Sequence, residues 1–387
     1  MAKIVGMEAI CANNLNKDSL FESVLALRTS VGADGLAALS DADWDQLKHD
    51  TPMQFHNSRC ALLAFSGFSR ALKESAWNRE QIQSAGFIFS STTSQIDLWE
   101  NRLPYYQTEN YDGANIRRGI NNQSLGTPVL RMTDHFSIQG PRTLITSSCS
   151  ASLQALAMAL LWIKSGRVQR CIVGATEIHS TLTRVGFGSL RLLSKEICKP
   201  FDRNRTGINL GEGAGFICLE ADSLRSEAGR GYLRGAGLST DAYHPTSPHP
   251  EGKGSQTSLT MSLRSAGLAA EDIDWVYAHG TGSPANDLAE SRAIREVFAH
   301  APVITSTKAS HGHTLSASGA IESVLGLLAM QKNLVLPTRE FQDADSQIQL
   351  PILLQAKEQT IRNFVKNSLG FGGINASVIF SAEPGRH

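Results

Sequence analysis

Cys149 stands between an extended run, Thr143 to Thr146, and an apolar stretch from about Ser150 to Lys164 in a chain of 387 residues. A thiol at such a junction can act as a nucleophile. A helix start presents unpaired N–H groups and a partial positive charge, and both favour the reactive thiolate. Ser147, Ser148, Ser150 and Ala151 are small enough to let a substrate approach. A free cysteine is otherwise usually a small buried hydrophobe, so position rather than type singles out Cys149. Two histidines have comparable settings. His279 lies in the segment 277–287, YAHGTGSPAND, where it follows a strand and opens a Gly/Pro loop. His313 lies in 306–319, STKASHGHTLSASG, again between a strand and a helix. Such strand ends are where α/β sheets gather ligands. A lone histidine there would read as a hydrogen-bonded structural residue. Two in matching loops, with a cysteine in a third, point to one shared pocket. The run Gly370-Phe371-Gly372-Gly373 precedes the last strand and can bring backbone N–H groups close to a reacting oxygen. It lacks the spacing of a dinucleotide or phosphate loop. His311 and His313 alternate, and His244 and His249 are close, but no Glu or Cys completes a familiar ligand spacing. No metal is expected.

The elements that must position these residues alternate. A weak strand over Ile4 to Ile10 is followed by loops, then helical spacing from Leu62 to Trp77 within 55–85. Gly86 to Ser90 reads as a buried strand. Residues 91–140 are mixed and polar, as an insertion carrying a binding surface would be. The stretch from Ser150 to Lys164 is apolar on nearly every face, which predicts a buried helix stopped by Gly166. Strands follow at Arg170 to Gly174 and Ala214 to Glu220. The second half repeats the theme: strands at Gly231 to Gly237, Trp275 to Ala278, Val303 to Thr307 and Asn375 to Phe380, and helices at Gln256 to Gly267, Leu288 to Ala299 and Gly319 to Lys332. Strand–helix–strand alternation implies a covered, parallel-rich sheet. Two α/β halves, 1–225 and 226–387, are expected, with the insertion at about 91–140 as a cap or dimer region.

Composition narrows the class. Hydrophobic residues make up 41% and charged residues 19%, as in an ordinary globular protein. Lys plus Arg and Asp plus Glu are 36 each, so no bulk attraction to nucleic acid or anionic membrane is expected. Met1 to Ile10 contains Glu8 and lacks a basic-then-apolar order, so no secretory leader is expected. The longest apolar run, Ala155 to Ile163, is too short to span a bilayer. Six cysteines with no Cys-x-x-Cys pair suggest neither a zinc site nor a disulfide framework, and fit a reducing cytoplasm.

These blocks, in this order, resemble the β-ketoacyl-acyl-carrier-protein synthases, condensing enzymes of the thiolase superfamily. The Cys149 turn resembles the family's nucleophile elbow. The block 199–215, KPFDRNRTGINLGEGAG, is close to its central block, and the His279, Lys308/His313 and Gly370–Asn375 segments match its later ones. The resemblance implies a thiolase-like fold of two similar halves in a five-layered αβαβα arrangement. It implies that Cys149 takes a primer acyl chain as a thioester. The Nε–H groups of His279 and His313 would then polarise a malonyl thioester and promote its decarboxylation, and the enolate would attack the acyl-enzyme. Lys308 and Glu290 would form a supporting buried ionic pair. The N–H groups of Cys149 and Phe371, with Gly372 beside them, would form an oxyanion hole, and Phe371 would be the gate. Thr281, Ser283 and Leu369 would line the substrate pocket. No cofactor is implied, since substrates ride on the phosphopantetheine of an acyl carrier protein. Arg117 and Arg118 are candidates for docking that acidic partner, against a plainer reading as two solvated arginines. A homodimer through an edge strand near the nucleophile helix is implied, or a heterodimer with a ketosynthase-like chain length factor.

Leu369 departs from the family's usual aromatic and Ile374 from its usual threonine, and the N-terminal strand looks short. These changes bear on chain length, and Leu369 could suit unsaturated or aryl-capped chains. Two alternatives are a silent chain-length-setting partner, which would usually lack the nucleophile, and a coenzyme A thiolase, which pairs one histidine with an asparagine and uses a second cysteine.

Overall fold

The computed structural model describes residues 1–102, 117, 124–224 and 229–384. Much of the expected insertion at 91–140, including Arg118, lies outside the described residues. Among the described residues, ten strands form the main sheet: β1 (Ala2–Cys11), β2 (Gly86–Ser90), β3 (Arg142–Ile145), β4 (Arg170–Glu177), β5 (Gly213–Ala221), β6 (Tyr232–Thr240), β7 (Trp275–Tyr277), β8 (Val303–Thr305), β9 (Asn363–Gly370) and β10 (Ile374–Ser381). The helices that matter here are α1 (Arg59–Ser75), α2 (Ala151–Lys164), α3 (Thr181–Ser189), α4 (Lys253–Ala266), α5 (Pro284–Val297), α6 (Lys308–His311) and α7 (Ser318–Lys332).

The strand order is β8-β7-β9-β10-β6-β1-β5-β4-β2-β3. Each half of this order is a mixed sheet of five strands. The halves are joined where Ala2 and Lys3 of β1 meet Leu233 and Tyr232 of β6 and Ile4 bonds the backbone of Arg230 and Gly231. Three apolar clusters sit between the layers. One packs α1 on the outer face of the first half, around Phe68, Phe87 and Phe216. One packs α4 and α5 on the outer face of the second half, around Leu259, Ile294 and Ile379. The largest holds α2 and α7 between the halves, joining Leu156 and Leu160 to Val324, Leu328 and Phe364. Helix, sheet, helix pair, sheet, helix is the five-layered mixed α/β arrangement the sequence suggests.

Three expectations need correcting. The first strand is neither weak nor short: β1 runs ten residues, all buried. It lies in the middle of the sheet order, so both its faces are covered and no polar alternation marks it. Glu8 is tolerated inside it because its carboxylate accepts the N–H groups of Ala9 and Lys17. Gly6 is required there, since a Cβ would lie 2.3 Å from the Ala71 carbonyl of α1. Strand β9 is absent from the expected elements, because Lys366, Asn367 and Ser368 break its apolar run; all three are buried for reasons given below. Helix α2 is not apolar-and-buried throughout, for Leu161 is 63% exposed.

Candidate active site

The Cys149 turn is a strained elbow. Ser148 takes φ +48, a left-handed conformation that a serine adopts only when its surroundings impose it. The surroundings are explicit. Ser150 Oγ donates to the Ser147 carbonyl at 3.1 Å, and Gln154 Nε2 donates to Ser147 Oγ at 2.8 Å and Ser150 Oγ at 3.0 Å. Helix α2 then begins at Ala151 with Cys149 just before its first turn. The β9–β10 hairpin packs against this elbow. Ser368 Oγ donates to the Cys149 carbonyl at 2.9 Å. A Cβ on Gly370 would lie 3.2 Å from Ser150 Oγ, so the approach is close. Gly372 and Gly373, at φ +82 and +69, make the tight turn that needs glycine.

The structure brings together the three residues chosen from sequence. Cys149 Sγ and one ring nitrogen each of His279 and His313 lie within 4.8 Å of one another. The two rings meet edge-to-face at 81°, with centroids 5.2 Å apart. All three residues are buried. They line a cavity of about 340 Å³ together with Thr281, Ser283, Leu369 and Phe371. Phe371 stacks on Phe187 of α3 at 5.3 Å. Arg117 is exposed.

Electrostatics in the cavity are set by burial. Burial pushes the Cys149 thiol up to about 12. The Lys308 charge and the backbone N–H groups of Cys149 and Phe371 pull the other way, the same two N–H groups expected to receive an oxyanion. Burial, then the Lys308 charge, holds both His279 and His313 well below the ordinary histidine range, so both rings are neutral at pH 7. The same Cys-His-His set is the group of described residues whose donors could hold a metal ion. Cys149, His279 and His313 come from three separate segments, so no local ligand spacing marks the set. Zinc bonds of about 2.0–2.3 Å would require the three donors to draw closer together.

The expected Lys308–Glu290 pair is not formed. Lys308 Nζ bonds Glu322 Oε1 at 2.5 Å, and Lys366 Nζ lies 2.9 Å from Glu322 Oε2. Glu290 instead receives the N–H groups of His279 at 2.7 Å and Gly280 at 2.8 Å, and Asn367 Nδ2 at 2.8 Å. It fixes the His279 loop through its backbone. Asp287 does the same one turn earlier on α5, taking the N–H groups of Thr281, Gly282 and Phe201. Burial alone would raise the Glu322 carboxyl, but Lys308 and Lys366 overcome it and bring it down to about 2. Glu322 and Lys366 were missed from sequence. Their signal was a single acid in the middle of a largely apolar helix, SGAIESVLGLLAMQK, and a single lysine among strand residues. A fully buried charge is rarely left without a partner.

Comparison with known proteins agrees with this geometry. Residues 3–224 match the family described as Beta-ketoacyl synthase, N-terminal domain, and residues 230–342 match its C-terminal domain. The chain is 36% identical to "3-oxoacyl-[acyl-carrier-protein] synthase 2" of Coxiella burnetii over 64% of this chain, a match spanning 63% of that protein. It is 28% identical to "Nodulation protein E" of Rhizobium meliloti over 97% of this chain and 98% of that one. Among solved structures, a ketosynthase in complex with its chain length factor from Xenorhabdus doucetiae superposes with a TM-score of 0.82 at 27% identity, covering 99% of this chain and 98% of that one. The ishigamide ketosynthase/chain length factor shares the fold, with a TM-score of 0.89 at 24% identity over 99% of each chain. Convergent Cys149, His279 and His313 on a five-layered fold, and family matches over both halves, establish that the chain belongs to the β-ketoacyl synthase family of acyltransferases.

Proposed function

We propose that the chain is a β-ketoacyl-acyl-carrier-protein synthase that loads an acyl chain on Cys149 and extends it by decarboxylative condensation with a malonyl-carrier substrate. The carrying observation is the approach of one sulfur and two neutral imidazoles to within 4.8 Å in one buried cavity. A neutral imidazole can donate to the carbonyl of the extender as its carboxylate leaves, and preorganised donors at a developing enolate oxygen are worth about a hundred- to a thousandfold each in rate. The N–H groups of Cys149 and Phe371 are the donors for the tetrahedral steps at the acyl-enzyme. Thr281 and Ser283, on the cavity wall, suit the amides of a phosphopantetheine arm. The condensation needs no metal or organic cofactor. Carrier-protein docking falls to basic residues at the surface, with exposed Arg117 as a first candidate.

The relatives' names favour fatty acid or polyketide-type synthesis, and a partner chain fits the surface. Strand β3 is an edge of the sheet with one neighbour, and Leu161 is exposed on α2, which packs against it. An unpaired edge beside an apolar residue is a template for a second chain. That chain would be a second copy or a ketosynthase-like chain length factor. Leu369, where the family usually has an aromatic, leaves space beside Cys149 for unsaturated or aryl-capped chains. Extension of saturated primers alone would sink that last point.

The test is incubation with an acyl-loaded carrier protein followed by mass spectrometry of Cys149. An acyl adduct, then a product lengthened by two carbons on adding malonyl-carrier protein, is expected. No adduct would favour the silent-partner role. Extension with acetyl-coenzyme A in place of malonyl-carrier protein would indicate a thiolase.

A further inference from the structure

Strand β7 ends at Tyr277, and the backbone must leave the sheet to carry His279 into the cavity. The Ala278 N–H still donates to the Thr305 carbonyl at 2.9 Å. The next peptide group is held by two buried side chains. Its N–H, that of His279, donates to Glu290 Oε1 at 2.7 Å, and its oxygen, that of Ala278, accepts Lys366 Nζ at 2.8 Å. One peptide dipole therefore lies between an ammonium at its oxygen and a carboxylate at its hydrogen. Bonds to charged groups are roughly twice as strong as neutral ones. The three hydrogens of the ammonium match three acceptors: Ala278 O, Glu322 Oε2 at 2.9 Å and Tyr277 O at 3.3 Å. Strand β9 supplies both arms, because successive strand residues point to opposite faces. Lys366 reaches the peptide oxygen directly. Asn367, its neighbour, donates to Glu290 Oε1 at 2.8 Å and to Ser255 Oγ at 3.0 Å. Local conformation would not fix the peptide by itself, since Gly280 follows at φ +43 in a loop with glycine freedom.

We propose that Lys366 is a positioning residue whose ammonium clamps the 278–279 peptide group against Glu290 and so fixes where the His279 ring stands in the cavity. The effect on rate rests on the synthase reading above; the clamp itself does not. Lys366 touches no atom of the cavity wall. It acts through the backbone of His279, and through Glu322 it ties that backbone to Lys308 at the start of α6. Burial brings the ammonium down to about 8, while the Glu322 charge holds it up against Lys308 and leaves it protonated at pH 7. A buried lysine on a strand is costly unless its charge is met, and here each acceptor it meets belongs either to the strand end that carries His279 or to Glu322. An apolar residue at 366 would pack in the same space and leave the Ala278 oxygen without this donor.

Two measurements on Lys366→Met decide it. The variant keeps an apolar stem and leaves Lys308 and Glu322 as a one-to-one pair, so the fold is expected to survive, as thermal unfolding will show. Lys366→Gln, which drops the charge but keeps an N–H donor, is the second variant and is read in the same way if Lys366→Met does not fold. The first measurement is residue-resolved hydrogen exchange in the full chain. The His279 and Gly280 amides should exchange at least about tenfold faster than in the wild type, with the amides of β5 unchanged. Unchanged exchange at His279 overturns the clamp, and so does acceleration spread equally over β5, which would give Lys366 to the fold at large. In the wild type the His279 amide should exchange as slowly as those of β5; fast exchange there overturns the clamp without any variant. The second measurement is condensation with malonyl-carrier protein. A displaced ring should lower kcat roughly ten- to a hundredfold and leave KM within about twofold. Wild-type kcat beside a loosened His279 amide would overturn the positioning role. No adduct on wild-type Cys149 would overturn the synthase reading instead, and hydrogen exchange, which needs no substrate, would still decide the clamp.

Discussion

The Cys149 elbow is built from backbone and small neutral side chains, whereas the wall of histidines facing it rests on buried charge. At the elbow, Ser148 holds φ +48 and Ser147, Ser150 and Gln154 lock the turn by hydrogen bonds. Behind the histidines, Lys308, Lys366, Glu322 and Glu290 are all 0% exposed. The difference follows from the two tasks. A nucleophile must present one atom at one angle, which backbone geometry fixes. A pair of hydrogen-bonding imidazoles stays neutral because burial, and then the Lys308 charge, opposes a positive charge on either ring.

Breaking each side should therefore fail in a different way. Cys149→Ala should abolish loading, by at least about a thousandfold, with little change in stability, as read by adduct formation and thermal unfolding. His313→Asn should leave loading measurable and lower condensation by about a hundred- to a thousandfold, as the loss of one preorganised donor does. Glu322→Gln should do the reverse of Cys149→Ala, destabilising the fold by about 3–5 kcal/mol in denaturant titration because two buried lysines lose their partner. Unchanged stability there would mean that the charges behind the histidines do not support the fold. Acid sharpens the same point. The folded Glu322 carboxyl is depressed to about 2 from an unfolded value of 4.5, so its contribution is complete above 4.5 and is lost as pH falls toward 2. Glu322→Gln should remove that part of the acid slope, measured as midpoint against pH. The smallest effect is expected at the elbow. Ser148→Gly relieves a left-handed residue and should change stability by less than about 1 kcal/mol, while loosening the turn and slowing loading a few-fold.

Local pattern was enough for α2, β4, β5 and the loops carrying His279 and His313, because each is bounded by an apolar run and a glycine or serine turn. It underestimated β1 and missed β9. In β1 both faces are buried, so alternation vanishes, and the one acid is silenced by N–H groups of Ala9 and Lys17. In β9 each polar residue has a distant partner: Lys366 meets Glu322, Asn367 meets Glu290 and Ser255, and Ser368 meets Cys149. The Lys308 pairing failed for the same reason. Glu290 and Glu322 are equally buried, and nothing in their spacing from Lys308 tells which carboxylate will face its ammonium.

The sequence by itself determined the residue types and their order: a cysteine at a helix start, two histidines at strand ends and a glycine turn are local features that neighbouring residues enforce. Only the tertiary structure decided which buried charges pair and which hydroxyl faces each histidine. Those outcomes depend on contacts between segments as far apart as Cys149 and Ser368, and hydrogen bonds of 3 Å cannot be read from separations along the chain.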